Sequence, residues 1–416
     1  MRPLAWCSQP RNSAASPGGT LTLDPYVTDW LDLLARWLHV IAGIVWIGSS
    51  FYFIALDNHL RPPQDERERE AGIGGETWEI HGGGFYNIKK YLVAPRILPE
   101  TLHWFKWEAY TTWLSGFALM IVLYYLNADT YLIDKSVADL TAGEAVAISV
   151  GLLAAAWLVY DVLCRLLGSR PFLLAAVLLG AITLAAWGVS HLFSARATYL
   201  QIGAMIGTMM VGNVFFVIIP AHWELVRAKQ AGREPDPAAN ARGKLRSVHN
   251  NYLTLPVVFT MLSNHFPFTY GHSYSWLILV VLLVIGAWVR HFFNLRHLGR
   301  TVWAIPISAA VAIAVLAILI RPQNESAAGT PAVPFARVAR IVDQRCTACH
   351  SQQPTKVSTA PRGIKFDTPQ EIKAQASAIE QQAVQTKAMP LGNVTGMTQA
   401  ERDLLGRWIA QGARIP

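Results

Sequence analysis

The chain has 416 residues, of which 52% are hydrophobic and only 15% charged, with 15 Trp and a formal net charge of +8. A soluble domain carries nearer a quarter of its residues as charges, so composition argues against an ordinary soluble protein and for a membrane class. The basic excess lies mostly in loops between apolar blocks and forms no basic helix or stacking platform, which argues against nucleic-acid binding.

Residues 1–25 hold Arg2, Arg11 and a Gly-Gly pair but no apolar run, so they read as a disordered tail and not as a signal peptide. Eight apolar segments follow, at 30–57, 109–127, 144–167, 171–193, 197–220, 252–268, 274–293 and 301–320. A helix needs roughly 20 mostly apolar residues to cross the hydrocarbon core. Pro256, Asn264, His265 and Pro267 interrupt the sixth segment, a pattern tolerated where a span is buried in protein. His39, His191 and His265 fall in the outer parts of the first, fourth and sixth spans. A polar side chain at membrane depth is a functional candidate by default. Two of these three could ligate a b-type haem; the other reading is interhelical hydrogen bonding or placement at headgroup level.

The loop after the first span runs Gly72-Ile73-Gly74-Gly75-Glu76 and on to His81-Gly82-Gly83-Gly84. Its glycine density suits a backbone that approaches a ligand closely, although no Walker loop is present. Substrate or catalytic candidates on this side are Glu76, His81, His103, Trp104, Trp107, Glu108, His222, His249 and Arg290. Together they offer rings for stacking, a cation for an anion, and groups able to remove a proton. For most of the Trp residues an interfacial aromatic belt is the competing explanation.

Lys and Arg orient the spans. The loops 58–108, 165–170, 224–251 and 290–300 hold 18 of them, whereas the alternate loops hold only Lys135 and Arg196. The positive-inside rule then puts both termini outside the cytoplasm.

After the eighth span, 321–334 reads as a linker rich in Pro, Ala and Gly. An amphipathic helical pattern from Phe335 leads into Cys346-Thr347-Ala348-Cys349-His350. C-x-x-C-H is the attachment sequence of haem c, with the two thiols bonded to the macrocycle and the His ligating iron. A zinc site needs four ligands, and a thioredoxin-like pair needs a βαβ setting; neither is present. Met389 is the expected sixth ligand and Met397 the alternative. Methionine opposite histidine raises the potential, which suits an electron acceptor. Thr398 and Glu401 have capping-box spacing at the start of a last helix. This region resembles a class I cytochrome c. The expected fold is all-α: a tail over 1–25, an eight-helix membrane bundle over 26–320 with both termini outside, the linker, and a small cytochrome c domain over 335–416.

Trp78–Tyr91, His103–Gly116, Ser247–His272 and Arg290–His297, together with the terminal cytochrome, resemble the PuuD family of bacterial membrane urate oxidases fused to cytochrome c. The resemblance covers nearly the whole chain after residue 25 and departs from it only in the N-terminal extension. It implies hydroxylation of urate to 5-hydroxyisourate in purine catabolism, with electrons passed to haem c and on to the respiratory chain instead of dioxygen. The implied partners are urate, membrane lipid and a periplasmic acceptor, either a soluble cytochrome c or a terminal oxidase. It carries over no catalytic residues. Two other expectations stay open: another membrane oxidoreductase of the quinol–cytochrome c reductase kind, and a non-enzymatic electron conduit.

Overall fold

The computed structural model describes residues 25–321 and 331–416; nearly all of the expected tail and most of the expected linker lie outside them. Helix α1 (Pro25–His59) opens the described chain. At 1.5 Å per residue its 35 residues extend about 52 Å, well beyond a hydrocarbon core of ~30 Å.

The expectation of an all-α chain needs one correction here. Strands β1 (Ile73–His81) and β2 (Gly84–Tyr91) form an antiparallel hairpin. His81 pairs with Gly84 across Gly82 and Gly83, whose φ values are +58° and +82°. Two positive-φ residues in a two-residue connection suit the I′ turn that follows the twist of paired strands. The glycines that suggested ligand approach therefore have a local use, at least at this turn. Gly83→Val should cost about 1–2 kcal/mol, the strain of a branched side chain in the left-handed region. Faster proteolytic nicking at this turn would register the loss, and an unchanged nicking rate would argue that the turn is not so constrained.

The remaining long helices of the first part are α2 (Trp107–Leu119), α3 (Ala142–Leu167), α4 (Pro171–Val189), α5 (Ala195–Gly212), α6 (Ile219–Gln230), α7 (Pro237–Leu262), α8 (Ser275–His297) and α9 (Ala304–Leu319). Their starts follow local rules. Thr141 and Glu144 form a capping box for α3, Ser194 caps α5, and Asp236 caps α7 with Pro237 behind it.

Five helices are long and apolar enough to cross a membrane: Trp30–His59, Ala142–Leu167, Pro171–Val189, Ala195–Gln230 and Ser275–His297. Of the apolar window in Ala195–Gln230, 61% is buried inside the protein, against 11% in Trp30–His59. The former is thus the central helix, and the latter turns most of its side chains outward. The three other expected spans depart from simple membrane-length helices for visible reasons. The second passes from α2 into a π-helix over Met120–Tyr125. The sixth is the apolar end of α7, whose first half is polar, and it stops at Leu262 before a 3-10 turn. The eighth has 16 helical residues.

The C-terminal part has its own core. Helices α10 (Phe335–Arg345) and α11 (Gln399–Ala410) pack against each other, burying Val338, Val342, Leu405 and Trp408. The Thr398–Glu401 capping box forms as expected. The segment Thr386–Asn393 rests on the first part of the chain. A Cβ at Gly271 would lie 1.8 Å from the Thr386 carbonyl oxygen, and one at Gly392 would lie 2.5 Å from that of Thr130. Only a residue without a side chain lets the two backbones come this close.

Candidate functional site

A buried polar network links α3, α7 and the π-helix over Asn213–Ile218 that joins α5 to α6. Arg246 donates to Asp161 Oδ1 at 2.6 Å and to Asn213 Oδ1 at 3.2 Å, and faces the Tyr160 ring at 4.8 Å. Arg165 donates to the other Asp161 oxygen at 2.7 Å. Asn213 Nδ2 donates to Tyr160 Oη at 2.9 Å and to Asn250 Oδ1 at 2.8 Å. The Tyr160 hydroxyl, already accepting, has His249 Nδ1 within 2.8 Å to take its proton. Each member finds protein partners, as a buried polar network must if it is to stabilise. A π-bulge often marks a functional stretch of helix, and here it begins at the asparagine that joins the network.

Arg290 behaves differently. It is 3% exposed, donates through Nε to Asn251 Oδ1 at 2.6 Å, and stacks its guanidinium 3.7 Å from the Phe51 ring centroid. Asn251 in turn donates to Asn294 Oδ1 at 2.9 Å. Among the described residues Arg290 Nη2 has no partner, and neither does the buried Glu108 Oε2. A buried guanidinium nitrogen without an acceptor is costly unless something else supplies one. Arginine presents its donors in a planar fork suited to a flat anion. A carboxylate oxygen left free of hydrogen bonds retains the capacity to take a proton.

Other expected residues are dispersed around these. Trp104 stacks on Trp223 with centroids 4.5 Å apart and lies 6.4 Å from the His222 ring. Lys106 reaches over both Trp104 and Trp107 at 5.9 Å. His103 lies edge-on to Phe105 at 4.6 Å, which in turn meets Phe53 of α1 at 4.7 Å. Glu76 and His81 belong to the hairpin. Glu76 accepts from Asn87 at 3.1 Å, while exposed His81 pairs only with the turn. Sequence reading singled out Arg290, Glu108 and His249 but not Asp161, Asn213, Arg246 or Asn251. Those four become visible only when helices distant in sequence pair.

His39 and His265 line one cavity of about 450 Å³. His191 does not line it; its Nδ1 lies 2.8 Å from the Trp187 carbonyl, within its own helical turn.

At the C-terminal motif, Cys346, Cys349 and His350 share one turn, with the backbone N–H groups of Cys349 and His350 both donating to the Cys346 carbonyl. His350 Nδ1 lies 3.0 Å from the Ile364 carbonyl. A carbonyl only accepts, so Nδ1 carries the proton and Nε2 is left free to ligate iron. Both cysteines are free thiols. Burial pushes the Cys346 thiol up to about 12 and raises that of Cys349, the opposite of a reactive thiolate pair. Arg402 donates to the Met389 carbonyl at 2.7 Å and to that of Ala383, fixing the Met389 loop. Met389 is half-buried at the edge of this core, whereas Met397 is packed within it. A haem c would be held here by the Cys346 and Cys349 thiols, with His350 Nε2 and the Met389 thioether as the side chains that would ligate its iron.

Residues 25–321 match the urate oxidase N-terminal family. The chain belongs to this family. No curated protein and no solved structure matches it. The urate oxidase N-terminal match contains every candidate of the helical part, including the unpartnered groups of Arg290 and Glu108. The Cys346–His350 turn lies beyond the family match, so the chain joins a urate oxidase region to a separate C-terminal one. Membership makes urate the substrate to weigh against the geometry and makes the chain an oxidoreductase.

Proposed function

We propose that this chain is a membrane-bound urate hydroxylase, converting urate to 5-hydroxyisourate with electrons leaving through haem c instead of to dioxygen. One observation carries the reading. A chain of the urate oxidase family continues into a turn whose thiols and free imidazole nitrogen suit haem c. When bound, that group accepts one electron at a time.

The balance is urate plus water giving 5-hydroxyisourate, two protons and two electrons. Urate is a flat anion at neutral pH, and Arg290 offers it an unused donor at a buried position. Glu108 is the candidate base. Removal of two electrons leaves a carbon poor in electrons, to which water adds. The stacked Trp104 and Trp223 are aromatic neighbours for a planar substrate on its way to the site.

The proposed setting is the bacterial inner membrane, with eight N-out, C-out spans over 26–320 and a periplasmic cytochrome c domain over 335–416. The Lys and Arg bias of the loops supports this orientation. The five membrane-length helices are joined in it by α2 with its π-helix, the apolar end of α7, and α9. Attachment of haem c outside the cytoplasm fits the same side for Cys346.

Anaerobic addition of urate to membranes tests the proposal. The haem c absorbance should become reduced by urate and not by quinol, without stoichiometric hydrogen peroxide. Reduction by quinol alone would favour a quinol–cytochrome c reductase, and no reduction by urate would overturn the proposal.

A further inference from the structure

We propose that the cavity bounded by α1, α2 and α5 holds a non-covalent tetrapyrrole of the b-haem class, with His39 and His265 as its iron ligands. At about 450 Å³ the cavity lies in the size range of small-molecule sites. Its walls are mostly apolar, and its polar members include Arg36, His39, Arg196, Asn264 and His265. An apolar slot with guanidinium groups on its lining matches a flat apolar macrocycle bearing two carboxylates. Arg36 already shares its charge with Asp32 at 2.8 Å. Arg196 donates through Nε to Asn264 at 2.9 Å and lies over the Tyr131 ring at 5.4 Å, and with no carboxylate partner among the described residues it is the less committed counter-ion.

His39 is set up as a ligand. Its Nδ1 lies 3.0 Å from the Thr112 carbonyl and 3.1 Å from Ser115 Oγ, so Nδ1 holds the proton and Nε2 has the lone pair. Metal-binding histidines are oriented by such a second hydrogen bond. A Cβ at Gly116 would come within 2.8 Å of His39 Cε1, so the bare backbone there gives the ring its seat. His265, on the 3-10 turn Ser263–His265, is an exposed residue with no side-chain hydrogen bond among the described residues, and it lines the same space. The hydroxyl of Tyr124, 3% exposed and lining the same cavity, meets no strict hydrogen-bond geometry and lies beside the Arg196 guanidinium. A lipid tail would fill the apolar walls but engage neither imidazole, and a quinone carbonyl would accept from an N–H group but offers nothing to the His39 Nε2 lone pair.

The position is also apt. Arg196 lines this cavity and a smaller one, of about 230 Å³, closed on its other side by Thr386, Lys387, Ala388 and Pro390. Those residues flank Met389. A one-electron centre in the larger cavity would shorten the gap between an inner substrate site and the outer haem, otherwise comparable with the ~30 Å hydrocarbon core. That relay role rests on the proposed urate chemistry; occupancy of the cavity does not.

The test uses the full chain purified in detergent, with acid–acetone extraction to separate non-covalent haem from the haem retained on the protein. One extractable haem per covalent haem is expected. His39→Ala and His265→Ala should each lower the extractable haem by at least about ten-fold while the covalent haem stays. His191→Ala should retain both, and Gly116→Leu should lose extractable haem by displacing the His39 ring. Should an alanine variant misfold, His39→Met offers a second reading: extractable haem retained with a shifted spectrum supports ligation, and an unchanged spectrum overturns it. No extractable haem in the unsubstituted chain, a quinone in its place, or full haem content in both alanine variants would overturn the proposal. Loss of urate-driven reduction with extractable haem still present would count against the urate reading and leave the site intact.

Discussion

A Cys346→Ser/Cys349→Ser chain is expected to carry no haem that survives denaturing electrophoresis, and urate-driven reduction of an added periplasmic acceptor should fall to background. In the proposed haem c the two thiols would supply the covalent bonds, and no other described cysteine lies in this part of the chain. The effect should extend to folding. The C-terminal core built on Val338, Val342, Leu405 and Trp408 is small, and small cores commonly need a covalent or metal staple. Urate oxidation by an artificial acceptor able to reach the helical part should survive, which locates the chemistry away from the motif. Unchanged reduction of the periplasmic acceptor by the double variant would remove the proposed electron exit.

Arg290→Met should lower kcat/KM for urate by on the order of 10²-fold and keep the haem content, with a loss of stability of about 1–2 kcal/mol from the buried Asn251 Oδ1 left without its donor. Removing one side of a buried charged contact costs about 2–4 kcal/mol, and each 1.4 kcal/mol is a factor of ten. The methionine keeps apolar bulk against Phe51, so packing is largely preserved. Arg246→Met is the instructive contrast. Arg246 is as deeply buried, but Asp161 and Asn213 occupy it fully. Its loss should destabilise by about 3 kcal/mol, at the low end for breaking a buried pair, because Arg165 still contacts Asp161. Thermal unfolding in detergent separates the two cases. Wild-type kcat/KM in Arg290→Met would end its assignment to the substrate anion.

The difference between these arginines marks what the sequence could and could not tell. Both sit in helices with basic loops nearby, and a sequence has no way to show that one of them meets an aspartate 85 positions away. Arg290 was visible through its place beside a span, without any hint of its stacking on Phe51. Local signals fared better. The Thr398–Glu401 box formed, and the Cys346–His350 turn is compact because its spacing is short. The hairpin was legible in principle: Gly82-Gly83 between Ile80 and Phe85 is a turn signal. Reading it as a ligand loop overlooked the turn role of Gly82 and Gly83. The expected end of the sixth span at 268 was missed because the helix stops at Leu262 and passes into a 3-10 turn, and hydropathy does not register helix pitch.

The close backbone contacts at Gly271 and Gly392 have a kinetic meaning. A cytochrome on a loose tether would collide with its donor at an effective concentration set by the reach of the tether. Here the Met389 loop is already seated on the helical part, so transfer into it should be a first-order step, insensitive to dilution of the membranes and to extra residues inserted in the linker. The docked edge is also closed to outside proteins. With the proposed haem c in place, a soluble acceptor would therefore meet the opposite surface, and electrons would enter this small unit on one side and leave on another, as in a fixed conductor and not a shuttle.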